Sequence, residues 1–332
     1  MSRKMPLTME QQLLLFRNLV RAMTLDQLMM RLIQSGRLVG FYHEGGIALA
    51  PGVAAASFLR HSDCLWAHYR AHGLAHMLSK GIETDTYFAE HMGRSDGCCK
   101  GRSSFHCSYP EHHLHGFSGN IGANFPMCIG YGFAAKYKKS GQVVMNCSGD
   151  GSYGEGRAHE GMLMAANWQL PIIFWCENNG ISQHSAMTEI FPGNRISALA
   201  AGYGIPARVV DGQDVFACGE AALDAIDHAR SGKGPIFVEC ITLRSQEHAI
   251  GGVNKTGTSI RDPALMAEMK SNFNPRKLAA QRLIEAKVAT EAELEEIAAA
   301  AEKEADAIEK FCDRSPKATP SIDELVRGLY AA

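Results

Sequence analysis

Asp150 sits between two glycines, in Gly149-Asp150-Gly151, and a pair of amides, Asn178-Asn179, follows after the 26 residues 152–177. A carboxylate and a side-chain amide are hard oxygen donors, the kind that Mg2+ takes in a near-octahedral set. Glycines at 149 and 151 let the backbone N–H groups at 151 and 152 come close to a bound diphosphate. Asp150 and Asn179 therefore read as metal ligands, Gly151 and Ser152 as diphosphate contacts, and Ile181, by its spacing, as a backbone carbonyl on the same metal. Two other readings compete. Gly149-x-Gly151-x-x-Gly154 also satisfies the dinucleotide fingerprint, with Glu177 free to hold a ribose hydroxyl. Asp150 weighs against it, because a carboxylate there repels a pyrophosphate unless a cation intervenes. The blander alternative is a glycine turn with no ligand.

Apolar runs lead into both motifs, Val143-Val144-Met145 before the first and Ile172-Ile173-Phe174-Trp175 before the second. Such runs, stopping at glycine or at an acid and amides, predict buried parallel strands whose carboxyl ends open onto a site. Residues 155–167 read as the helix between them, which makes a βαβ crossover. Residues 207–212 and 235–241 predict two more strands, joined by a helix over 217–231, so the fold class is α/β with at least four or five parallel strands and helices on both faces. Upstream, Thr8-x-x-Gln11 is a capping box for a helix running to Gln34 and stopped by Gly36. Residues 45–50 predict a tightly packed helix, and 125–136 another. From Pro263 onward the chain reads as helical, with a second capping box at Thr290-x-x-Glu293 and an Ala/Glu-rich helix over 298–309. The expected organisation is an N-terminal helical segment (1–40), an α/β domain (41–262) and a C-terminal helical extension (263–332).

Further candidates lie outside the central motif. His43 stands alone and fits an interior histidine as well as a catalyst. Arg70 ends a strand-like run over 63–70, where its planar donors suit a diphosphate or simply the surface. Residues 93–124 form a long glycine-rich loop carrying His106, His112, His113 and His115. The last three lack the i, i+4 spacing of a helical zinc pair, which favours a solvated or substrate-facing loop. His248 lies in a polar segment just past the carboxyl end of a strand, where open α/β sheets bind ligands.

Composition bounds the possibilities. The chain has 332 residues, 46% hydrophobic, with a formal net charge of −2, so neither a nucleic-acid footprint nor a polybasic membrane patch is present. The uncharged run 112–135 is as long as a spanning helix, but histidines, asparagines, glycines and Pro126 interrupt it. Residues 1–12 lack the features of a signal or transit peptide, which makes the cytoplasm the expected location. Ten scattered cysteines, none in a Cys-x-x-Cys pair, read as reduced core residues.

Taken together these stretches resemble a family. Gly149-Asp150-Gly151 with Asn178-Asn179 is the thiamine diphosphate signature. Over 8–330 the chain resembles the alpha subunit of the thiamine diphosphate-dependent first component of 2-oxo acid dehydrogenase complexes, the pyruvate, branched-chain and acetoin group. Phe41-Tyr42-His43 looks like the family's segment ahead of the cofactor cleft. Tyr69-Arg70-Ala71-His72-Gly73 looks like its tyrosine-arginine motif, and Lys100-Gly101 to His106 like its glycine-rich loop. Gly119-Asn120-Ile121-Gly122 resembles a segment whose backbone touches the aminopyrimidine at Gly119 and Ile121. Leu243-Arg244 and His248 resemble the start of a loop bearing an active-site histidine. The chain departs from the pattern at Glu44-Gly45-Gly46-Ile47-Ala48, at Leu163 and at Ala249-Ile250-Gly251-Gly252.

The resemblance implies a thiamine diphosphate-binding fold. Tyr69, Arg70 and His248 would contact the cofactor, Mg2+ would lie on Asp150, Asn179 and Ile181, and His43 and His248 would be catalytic. It also implies a beta subunit that supplies the missing glutamate in an α2β2 heterotetramer, and a lipoyl-bearing acyltransferase that receives the acyl unit. The substrate would be a small 2-oxo acid or acetoin. The altered segment after His248 motivates one alternative, a transketolase-like carboligase half, and a scaffold subunit that has lost catalysis is the other.

Overall fold

The computed structural model describes residues 6–38, 40–103, 105–116, 119–193, 195–251 and 262–327. Its centre is a parallel sheet of five strands, β1 (Cys64–Trp66), β2 (Val144–Gly149), β3 (Ile172–Asn178), β4 (Ala207–Asp211) and β5 (Ile236–Ile241), in the order β1-β2-β3-β5-β4. Every residue of β2 and β3 is buried. Because side chains alternate across a strand, Met145, Cys147, Ile173 and Trp175 enter one apolar cluster, while Val144, Ile172, Phe174 and Cys176 enter another on the opposite face. That two-sided burial explains why both strands read as unbroken apolar runs.

Helices α1 (Met9–Gln34), α2 (Ala50–Ser57), α3 (Asn124–Tyr137), α4 (Gly156–Asn167) and α5 (Val215–Arg230) close the two faces. Helices α2 and α5 cover one face with α1 packed over them, and α3 and α4 cover the other. The capping box of α1 is present, with Gln11 N donating to Thr8 Oγ1 at 3.2 Å and Thr8 N to Gln11 Oε1 at 2.9 Å. A cap of this kind stabilises a helix by about 1 kcal/mol. The C-terminal part adds α6 (Pro263–Asn272), α7 (Pro275–Glu285) and α8 (Glu291–Arg314). Helix α8 extends beyond 298–309 at both ends, because its own capping box at Thr290 starts it early and its apolar stripe of Leu294, Ala301, Ala305, Ile308 and Cys312 stays buried to the last turn. It lies along α1, where Arg21 grips Glu304 through two bonds of 2.7 Å. Among the described residues no helix is long and apolar enough to cross a membrane.

One local expectation needs correcting. Residues 45–50 do not form one helix. Gly46 has φ +54°, outside the right-handed region, so only a short 3-10 turn (Gly46–Ala48) forms before α2 begins at Ala50. The amides of Gly45 and Gly46 donate instead to the buried Asp26 carboxylate, at 2.9 and 2.8 Å.

Candidate active site

Parallel pairing sets Gly149 opposite Glu177, so Asp150 and Asn179 emerge side by side from the carboxyl ends of β2 and β3. Asp150 is 2% exposed. Its Oδ1 accepts the Asn179 N–H at 3.4 Å, while Oδ2 is buried with no hydrogen-bond partner. Burial pushes the Asp150 carboxyl above its ordinary value, against bonds from its own and the Asn179 backbone. A desolvated carboxylate with a spare oxygen is costly unless a cation shares it, so the donor set fits a hard divalent ion. Asn179 Oδ1 accepts the Ile181 N–H at 3.3 Å, which folds 179–181 into a tight turn beside Asp150. Gly151 is required by space, since a Cβ there would come within 2.1 Å of Ser182 Oγ. Behind this turn, buried Glu239 takes the Asn178 amide at 2.6 Å and the backbone N–H groups of Ile196 and Ser197 at 3.1 and 3.0 Å.

A cleft next to the metal-type donors is lined by Tyr69, Ile121 and Ser152 together with His68, Asn120 and Ser148. Tyr69 bridges to a second group. Its ring centre lies 4.8 Å from that of His43 and 6.2 Å from that of His248, and the two histidine rings meet edge to face at 4.7 Å. Arg70, 4% exposed, donates from Nη1 to the carbonyl oxygens of His248 at 2.9 Å and Glu44 at 3.4 Å, and its Nε has no partner. A buried guanidinium with a spare donor fits a diphosphate. Burial, then the charge of Arg70, brings His43 down to about 2 and His248 to about 4, so both rings are neutral near pH 7. Gly119 is exposed, and a Cβ there would meet only the Phe105 ring at 3.6 Å.

Three devices hold this second group. The antiparallel pair Phe41–Tyr42 with Ile250–Gly251 ties the segments around His43 and His248 together. Gln246 Nε2 donates to the carbonyls of Glu44 and Gly45 at 2.6 and 2.9 Å. Asp26, from α1, accepts from Tyr42 Oη at 2.7 Å as well as from the two glycine amides. The segment following Gly251 lies outside the described residues.

Glu177 is buried at 3% exposure, with Oε1 2.7 Å from His76 Nε2 and Oε2 3.2 Å from His68 Nδ1. Burial alone would raise its pKa, but the two imidazoles override it and hold the carboxylate at about 2. Both oxygens point inward, so Glu177 is not placed to receive a ribose. Neither His68 nor His76 follows from sequence spacing, because they lie 109 and 101 residues from their partner. In the long loop, Glu90 accepts the N–H groups of Cys99, Gly101 and Ser103 at 2.8, 2.8 and 2.6 Å. Among the described residues His112, His113 and His115 form no group with metal-ligand spacing.

A family model described as "Dehydrogenase E1 component" matches residues 17–321. The chain belongs to that family. It is 35% identical over 248 residues to the alpha subunit of acetoin:2,6-dichlorophenolindophenol oxidoreductase from Bacillus subtilis (strain 168), covering 74% of this chain and 73% of the relative. Over 297 residues it is 34% identical to the pyruvate dehydrogenase E1 component subunit alpha of Zymomonas mobilis, covering 89% and 81%. The testis-specific mitochondrial form of the same subunit from Rattus norvegicus is 31% identical over 326 residues, covering 98% and 80%. This E1 component is an oxidoreductase subunit that uses thiamine diphosphate, as the motif at Asp150 and Asn179 implies. The expectation of a 2-oxo acid or acetoin dehydrogenase alpha subunit agrees with the family and these relatives, which favour it over the carboligase and scaffold readings.

Proposed function

We propose that this chain holds the diphosphate and Mg2+ half of a thiamine diphosphate site, and that a beta subunit completes the site in an α2β2 assembly. The single observation that carries the reading is the buried, partnerless Oδ2 of Asp150, set beside Asn179 at the ends of adjacent parallel strands. Asp150, Asn179 and the Ile181 carbonyl would hold the metal. Arg70, the backbone at Gly151 and Ser152, and Tyr69 would seat the diphosphate, with the backbone at Gly119 and Ile121 along the pyrimidine. These groups belong to 41–262, with 1–40 and 263–332 as helical supports.

When bound, thiamine diphosphate supplies the nucleophilic carbon and the electron sink for cleaving a bond next to a carbonyl. The protein's part is orientation, exclusion of water and proton handling. Neutral His43 and His248, packed edge to face beside Tyr69, would hold or move a proton on or near the reacting oxygen. The acyl unit would pass to a lipoyl group on an acyltransferase, and the substrate would be a small 2-oxo acid or acetoin. Co-expression with a beta-type subunit of the same organism tests the reading. The pair is expected to co-purify and to reduce an artificial electron acceptor with a 2-oxo acid or acetoin, while the chain alone does not. Full activity of the isolated chain, or none with any such substrate in the assembled pair, would overturn it.

A further inference from the structure

His91, His72 and His43 form a line inside the chain, 8%, 0% and 7% exposed. His91 Nδ1 lies 3.0 Å from the carbonyl oxygen of Tyr87. A carbonyl oxygen only accepts, so this nitrogen carries the proton. A neutral His91 then offers a bare Nε2 at 3.2 Å from His72 Nδ1, which must donate. His72 Nε2 is bare in turn, 3.1 Å from His43 Nδ1, which must donate as well. The direction of all three bonds follows from one carbonyl. The remaining nitrogen, His43 Nε2, takes no part in this line of bonds.

The backbone is distorted to make this line. Ala71 and His72 have φ of +51° and +46°, left-handed values at two successive non-glycine residues, each costing about 1–2 kcal/mol. Tyr87 Oη shares its single proton between the carbonyl oxygens of Ala71 and His72, both at 3.2 Å, and Ala71 N donates to the His43 carbonyl at 2.7 Å, which holds the strained pair in place. Rings of Tyr42 and Phe105, each 4.7 Å from that of His72, close the line to water. Burial holds all three imidazoles below the ordinary histidine range. The charges of Arg70 and Arg244 act the same way on His43, and Arg70 on His72, while the Tyr87 carbonyl and then Glu90 oppose it at His91.

We propose that His72 and His91 are positioning residues that fix the tautomer of His43, so that an unprotonated Nε2 faces the reaction cleft as an acceptor. His43 would thus accept a hydrogen bond or a proton from the bound reactants and would donate none. The identity of the reaction rests on the proposed function, but the proton positions do not.

Neutron diffraction from the full chain with its partner, at neutral pD, reads those positions without any turnover. Deuterium is expected on Nδ1 of His43, His72 and His91 and on none of their Nε2 atoms, whereas deuterium on His43 Nε2 overturns the proposal. Two variants then separate positioning from packing. His91→Phe removes the acceptor for His72, and His91→Gln restores one through its amide oxygen. A wrongly held histidine tautomer can cost about 10^4 in kcat, so kcat of His91→Phe is expected to fall by at least about tenfold with KM nearly unchanged. His91→Gln is expected to recover most of that loss. Wild-type turnover in the Phe variant, or equal losses in both, would contradict the proposal.

Discussion

Asp150→Asn separates a ligand-binding carboxylate from a structural one. The residue is 2% exposed, with one oxygen accepting the Asn179 N–H and the other unpartnered. Asparagine has nearly the same shape, keeps an oxygen for that N–H, and carries no charge to bury. The amide still leaves one buried atom unpartnered, but it removes the costlier buried charge, a gain of about 1–2 kcal/mol, so the bare variant should melt a few degrees above the bare wild type. With Mg2+ and thiamine diphosphate at a hundredfold excess over the wild-type dissociation constant, the wild type gains about 2.7 kcal/mol by mass action, and the variant, with a neutral amide in place of the charged ligand, gains far less. The order of stability should therefore reverse on adding cofactor. Differential scanning fluorimetry of the assembled protein, with and without Mg2+ and thiamine diphosphate, reads both halves. A variant that keeps the full cofactor-induced rise would refute the assignment of Asp150 to the metal.

Three further expectations follow from particular contacts. Asp26→Asn places an NH2 where a charged oxygen takes the Tyr42 hydroxyl or a glycine amide, and should cost about 2–3 kcal/mol in urea unfolding; an unchanged midpoint would mean that the segment bearing His43 is held by other contacts. His91 is lowered from 6.5 to about 4, chiefly by burial. As pH falls below the unfolded value the unfolded state takes the proton first, so stability is lost between pH 6.5 and 4, by about 3 kcal/mol from this group; stability curves for wild type and His91→Gln over that window should show the variant losing less, and parallel curves would argue against it. His248→Ala should leave assembly and the cofactor-induced rise intact while turnover falls, and full activity would remove His248 from the site.

Much of the architecture is legible in sequence because single segments carry it. The capping boxes at Thr8 and Thr290, the apolar runs of β2 and β3 and the spacing of Asp150 from Asn179 each need only neighbours in the chain. What was missed depends on partners far apart. Asp26 lies within the helix capped at Thr8, where nothing in its neighbours marks it, yet it braces Tyr42, Gly45 and Gly46. His68 and His76 gain meaning only when the fold brings the Glu177 carboxylate of β3 between them. The loop over 93–103 has no periodic pattern, and its order comes from Glu90 beneath it. Residues 45–50 misled because alanine and glycine suit a close-packed helix as well as a turn, and only the Asp26 carboxylate decides between them.

The central claim, that this chain carries the metal and diphosphate half of the site, is tested most directly by a structure of the assembled protein bound to Mg2+ and thiamine diphosphate. The metal is expected between Asp150, Asn179 and the carbonyl of Ile181, with Arg70 on the diphosphate. A diphosphate held away from Asp150, or a metal with no ligand from this chain, would contradict the claim.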